Sequence, residues 1–279
     1  SNSVRTTTGI DLETVKTVYA GPERRLWELI MGEQIHVGGL ESSMALADAA
    51  DISPGSRGVD LCCCTGAGMR FLLRFRGVAH MTGVDATAEV LDIGRQRSND
   101  DGCSAQIQFI LADACQTRLD DACADLVWGE DAWCDVADKP RLICEAVRLV
   151  RPGGTVAFTD WVAGDVPMND AEAERFLRFM KFPTFAARAE YAQLLENAGL
   201  RVERAEDTGR FPACIELYVS AASGQFGYDV SRLLGFDSAL VNALGQEMRH
   251  MQALVHARKV VQTMYIARKP GALRRGEQP

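Results

Sequence analysis

The feature that most constrains this chain is an ordered series of short apolar segments. Each is closed by an acidic residue and separated from the next by residues in helical spacing. They read "GVDLCC" from residue 58, "HMTGVDA" from 80, "IQFILADA" from 107 and "ADLVWGEDA" from 124. Between the first three lie "GAGMRFLLRFRG" and "TAEVLDIGRQRSND"; after the fourth come "DKPRLICEAVRLV", the breaker "RPGG" and "TVAFTDWV". This alternation predicts an α/β fold, a doubly wound and mostly parallel sheet with helices on both faces. Ligands of such sheets bind at the carboxyl ends of the strands, near the point where strand order reverses.

The flanks are helical. Residues 10 to 32 and 41 to 51 read as helices closed by "SPGSRG". After Val162 come two amphipathic helices, a strand at "RVERAEDTG", a helical stretch from about 213 to 258 and a last strand at "VVQTMYIARKP". The expected organisation is an N-terminal helical lid over 1–52, a core over 53–162, an inserted helical cap with a sixth strand over 163–258, a last core strand over 259–270 and a tail over 271–279.

Charge and composition exclude several classes. Net charge is −8 over 279 residues. A nucleic-acid binder needs a basic face, so no nucleic-acid partner is expected. No run of about 18 apolar residues suggests a membrane span, and the polar start "SNSVRTTTG" lacks the apolar region of a signal peptide. A cytoplasmic location follows as an expectation. In a reducing compartment the nine cysteines are expected as free thiols, and the six scattered ones (Cys103, Cys115, Cys123, Cys134, Cys144 and Cys214) as small buried hydrophobes.

The triplet Cys62, Cys63 and Cys64 lies where the first strand runs into a turn and a helix. Adjacent strand residues alternate faces, and no second cysteine pair or histidine stands nearby to complete four ligands, so no metal is expected. A helix N-terminus lowers a thiol pKa, which leaves a redox role open. The third reading is a ligand-binding turn: Asp60 at the strand tip, then small residues, Gly66 and Gly68, and a helix start whose N–H groups face an anion. Two glycines fall short of a G-x-G-x-x-G dinucleotide fingerprint. Asp85, at the next strand end, suits ribose hydroxyls, and Asp113, at the third, stands where an adenine amino group could be read.

The ordered set "DLCCCTG", "GVDATAEVL", "LADACQ", "DLVWGEDAW" and "RLVRPGGTVAFTDW", over about 55 to 165, resembles the class I S-adenosylmethionine-dependent methyltransferases. "MGEQIHVGG", "WGEDAWCDVADK" and "ARKVVQTMYIARK" resemble the glycine, sarcosine and dimethylglycine N-methyltransferase-like enzymes. The resemblance implies a Rossmann-like core with S-adenosylmethionine as cofactor. Asp60, Cys62, Cys64 and Gly66 would line its methionine end, Asp85 and Ala86 its ribose, Asp113 and Ala114 its adenine. Gly129 and Glu130 would lie beneath the reacting centre, and His36 would close over it. The family turn has glycines where this chain has cysteines; Cys62 reads as a mild change and Cys64 as the more serious one, since a β-carbon restricts the backbone there.

The expected partner is a small-molecule methyl acceptor, with an amine preferred; a homodimer is allowed. His36, Asp131 and Asp135 are the candidate catalytic residues, beside Glu33 and Asp160. Trp133 and Trp161, each just past a strand end, are candidate aromatic faces for a cationic nitrogen. The subgroup carries histidine where this chain has Asp135, which weakens sarcosine or glycine as substrate. The rivals are O- or C-methylation of a hydrophobic natural product, suited by Phe179, Met180, Phe182, Phe185 and Tyr191; a catalytically silent cofactor-binding domain; and, on cysteine richness alone, a thiol or arsenic methyltransferase.

Overall fold

A computed structural model describes Arg5–Thr6, Glu13 and residues 21–271. Most of the helix expected over 10–20, and the tail from 272, lie outside the described residues. Seven strands form one sheet in the order β4-β3-β2-β5-β6-β9-β8. They are β2 (Arg57–Leu61), β3 (His80–Asp85), β4 (Ile107–Leu111), β5 (Ala124–Glu130), β6 (Val150–Ala163), β8 (Arg201–Asp207) and β9 (Val260–Arg268). The first five pair in parallel, while β9 runs antiparallel between β6 and β8. Order reverses between β2 and β5, so the crevice opens above the ends of β2, β3 and β5.

The central strands are apolar on both faces because helices cover both. On one face α2 (Gly39–Ala50), α3 (Ala67–Arg76) and α4 (Ala88–Asp100) bury Leu46, Met69, Leu72, Leu91 and Trp128. On the other, α5 (Lys139–Leu149) and α7 (Arg188–Asn197) bury Leu142, Ile143, Phe158, Tyr191 and Tyr265. Asp138 caps α5, its side chain accepting the Arg141 N–H at 3.1 Å, which satisfies one orphan donor.

The segment expected as one lid divides. Helix α1 (Pro22–Met31) joins the cap, packing Leu26 and Ile30 against Val230 and Met248, whereas α2 belongs to the core layer. The cap is built from α6 (Asp170–Met180), β7 (Thr184–Phe185), α8 (Phe211–Ser223), α9 (Gly227–Leu233) and α10 (Ser238–His256). The two-residue strand β1 (Arg5–Thr6) pairs antiparallel with β7. No helix among the described residues is long and apolar enough to cross a membrane.

Candidate active site

A cleft of about 1290 Å³ lies over the ends of β2, β3 and β5. Asp60, Cys62, Cys64, Asp85, Ala86, Asp113, Ala114 and Glu130 all border it, together with Cys63, Gly68 and the stretch from Glu33 to His36. Two expected members do not. Gly66 turns the chain into α3 and faces Phe109, and Gly129 faces Trp133, whose indole would meet any β-carbon there.

The turn after β2 departs from expectation at Cys62. Both Cys62 and Cys64 hold left-handed backbone, with φ of 64° and 49°, a region that costs an L-residue about 1–2 kcal/mol. Cys62 is therefore as strained as Cys64 rather than a mild change. The strain is held by neighbours. The Cys64 N–H donates to Asp85 Oδ2 at 2.9 Å, and the Cys63 N–H to Val84 O at 3.0 Å. Burial, reinforced by Asp85, pushes the Cys64 thiol up, so the redox reading loses its thiolate. Among the described residues no group of three or more His, Cys, Asp or Glu side chains could hold a metal ion. The six scattered cysteines are not uniformly buried: Cys123 and Cys144 are exposed, since each falls on an outward-facing position of its segment.

Carboxylates dominate the cleft. Burial, then Glu130 and Asp85, raise the Asp60 carboxyl well above its usual range. Gly68 lets Glu130 approach, because a β-carbon at 68 would lie 2.6 Å from Glu130 Oε1. That oxygen accepts the Trp128 indole N–H at 2.8 Å, and Oε2 accepts Ser43 Oγ–H at 2.6 Å.

His36 Nε2 lies 2.9 Å from Gly39 O and 3.0 Å from Glu130 Oε2. A carbonyl only accepts, so Nε2 carries the hydrogen and Nδ1 is the basic nitrogen of the neutral ring. The next residue is pinned through Asp131, whose carboxylate accepts the Val37 N–H at 2.8 Å and Gln262 Nε2–H at 2.9 Å. Burial raises the Asp131 carboxyl. Asp131 thus holds the loop at Val37 in place. Beside it, the Gly38 N–H donates to Tyr218 Oη at 2.9 Å.

A second cavity, of about 810 Å³, lies between α1 and the cap. Ile35, His36, Asp131 and Asp135 border both cavities. Trp161 lines the second and packs on Phe211 at 4.3 Å between ring centres. Trp133 does not: it is fully buried beneath the cleft, its indole N–H donating to Leu61 O at 3.2 Å and its ring stacked on Phe158 at 4.0 Å. Of the apolar residues assigned to an acceptor, Phe179, Met180 and Phe182 line this chamber, while Phe185 and Tyr191 are core residues.

Asp160 also sits behind the site. It accepts Tyr191 Oη–H at 2.7 Å and the Cys134 N–H at 3.2 Å, and burial pushes its carboxyl up to about 6. Lys139, 1% exposed, donates to the carbonyls of Trp133, Cys134 and Val136 at 3.0, 3.1 and 2.6 Å. Together they hold the turn that presents Asp135. Sequence reasoning passed over Gly68 as a contact residue and Ser43, Gln262 and Lys139 altogether. Gly68 had a signal, as a small residue in the first turn of a helix after a strand; the others had none.

A family profile described as a methyltransferase domain matches residues 59–158. A dimethylglycine N-methyltransferase of Parasynechococcus marenigrum is 30% identical over 215 residues, 71% of this chain and 76% of that protein. Phosphoethanolamine N-methyltransferase 1 of Zea mays is 26% identical over 182 residues, 65% of this chain. The chain spans about a third of that relative's length, 35%. In structure, phosphoethanolamine N-methyltransferase 2 of Haemonchus contortus, solved with phosphomonomethylethanolamine and S-adenosylhomocysteine, superposes with a TM-score of 0.78 at 18% identity. That match covers 93% of this chain and 58% of the other.

Proposed function

The chain belongs to the class I S-adenosylmethionine-dependent small-molecule methyltransferases, and from that premise we propose that it methylates the amine nitrogen of a small molecule. The residues of the cleft fit the family's cofactor. Asp85 stands at the end of β3, its two oxygens already oriented by the N–H groups of Cys64 and Thr87 at 2.9 and 3.0 Å; it would take the ribose hydroxyls. Asp113 and Ala114 would border the adenine. Asp60 is buried, the Glu130 side chain is 7% exposed, and the two carboxylates are crowded against one another; a cation between them relieves that crowding. Bound there, the cofactor supplies an electrophilic methyl group on a positively charged sulfur.

The observation that carries the nitrogen assignment is the acidic junction of the two cavities. Asp131 and Asp135 border both, and Asp60 and Glu130 lie on the cleft side. A nitrogen becomes positive as it is alkylated, and carboxylates stabilise that charge. The same carboxylates oppose a phenolate. His36 Nδ1 can accept the proton that the acceptor nitrogen must give up to expose its lone pair, while Nε2 stays fixed on Gly39 O. The lid segment 33–37 excludes water, and the chamber aligns the acceptor. Dimethylglycine and phosphoethanolamine, named for two relatives, are amines, which supports nitrogen.

Two measurements test this. Calorimetric titration with S-adenosylhomocysteine is expected to give micromolar binding; no measurable heat would return the chain to a silent domain. A screen of amines, phenols and carbon acids with labelled cofactor, scored by product mass, is expected to label amines. Methylation confined to phenols or carbon acids removes the nitrogen assignment.

A further inference from the structure

We infer that the acceptor is an amine carried on an apolar body that bears no carboxylate or phosphate. This rests on the methyltransferase reading and adds the class of molecule that fills the second cavity. The chamber opens to solvent and is walled almost throughout by apolar side chains, which a two-carbon amine would leave largely uncovered. Its walls are aromatic and thioether groups, among them Trp27, Trp161, Phe179, Phe182, Met248 and Met251. Methionine side chains adapt to irregular ligand shapes, so the wall selects for apolarity more than for one outline.

The charged groups of the chamber stand where it meets the cleft and where it meets solvent. At the inner end, His36, Asp131 and Asp135 border the cleft. At the other, Lys181 is the only cation among the described lining residues, and it is already paired. Its ammonium donates to both oxygens of Glu23 at 2.9 Å. The two side chains are 31% and 47% exposed, which sets the pair at the mouth. An acceptor with its own anion would meet the Glu23 carboxylate and would lose hydration without gaining an unshared cation. An uncharged tail meets neither cost. The pair therefore acts as a filter: Glu23 occupies the one lysine that could otherwise hold an anionic tail.

Direct binding tests this without turnover. Octylamine, 8-aminooctanoic acid, dimethylglycine and phosphoethanolamine are titrated into the full chain by calorimetry, with and without saturating S-adenosylhomocysteine. Octylamine is expected to bind roughly tenfold or more tighter than each of the other three, which carry a carboxylate or a phosphate. Equal or tighter binding of any of them, or no binding of octylamine, overturns the inference. Phe179→Ala is expected to weaken octylamine and leave S-adenosylhomocysteine unchanged; an unaltered octylamine affinity means that it binds elsewhere and overturns the site. Glu23→Gln frees Lys181, so the preference for octylamine over 8-aminooctanoic acid should narrow at least threefold, roughly the worth of one exposed ion pair. An unchanged ratio overturns the filter. Failure of S-adenosylhomocysteine to bind while octylamine still binds would instead count against the methyltransferase reading alone.

Discussion

Asp85 Oδ2 accepts the backbone N–H of Cys64 at 2.9 Å, so the carboxylate expected to meet ribose also holds the left-handed turn of the neighbouring strand. One side chain thus shapes the cleft and faces the ligand. Asp85→Ala should weaken S-adenosylhomocysteine by more than tenfold, on the order of losing two charge-assisted hydrogen bonds. Calorimetry on the variant reads this, and an unchanged affinity would move the ribose site elsewhere.

Cys64→Gly should stabilise the protein by about 1 kcal/mol, because glycine adopts positive φ without the steric cost. Cys62→Gly should gain less, since Cys62 also packs against the core beneath the sheet. Urea unfolding at equal slope checks both. A loss of stability at 64 would mean that the thiol makes contacts worth more than the strain.

Four carboxyls, the buried Asp60, Asp131 and Asp160 and the half-buried Asp85, are all raised, chiefly by desolvation. A group raised in the folded state holds more protons folded than unfolded, so its stabilising effect is full below the unfolded value and is lost as pH rises through the folded one. For Asp160 that window runs from 3.8 to about 6. Melting temperature without ligand should therefore fall as pH rises from about 4.5 to about 7. A flat or rising curve over that window contradicts these shifts. A cation in the cleft lowers the same carboxyls, so binding S-adenosylmethionine near pH 6 should release protons, and more of them than S-adenosylhomocysteine does. Calorimetry in buffers of different ionisation enthalpy measures the difference.

His36→Gln keeps a side-chain donor for Gly39 O but has no basic nitrogen. Its kcat should fall by roughly 10²-fold, the lower range for a positioned base, with S-adenosylhomocysteine affinity little changed. A full rate in this variant would reduce His36 to closing the lid.

Gly68→Ala puts a methyl group 2.6 Å from Glu130 Oε1. The Glu130 carboxylate must then shift against Trp128 and His36, and S-adenosylhomocysteine affinity should drop by roughly tenfold, on the order of weakening a charged hydrogen-bond network. Unchanged binding would show that the cleft does not depend on where Glu130 lies.

Strand ends and their acids were legible because the signals are local. A strand needs a short apolar run, its end needs a small or polar residue, and the next helix follows in a few positions. Asp60, Asp85, Asp113 and Glu130 are each fixed by that grammar. Trp133 and Trp161 look alike in sequence, but the short 3₁₀ turn at Trp133–Asp135 rotates one indole beneath the sheet ends while β6 carries the other into the cap. Which side each ring faces depends on a turn that no spacing announces. The bond between Asp131 and Gln262 joins residues 131 positions apart, so no local pattern carried the positioning role of Asp131. Left-handed φ at Cys62 was hidden for a different reason: its residue type argues against the conformation that its neighbours enforce.

Ile35 and His36 border the cleft and the chamber alike, so one stretch of backbone roofs two sites. Its bonds to Asp131, Tyr218 and Gln262 all lie within a few residues. A ligand that shifts this stretch in one site therefore shifts a wall of the other, which couples the two binding events.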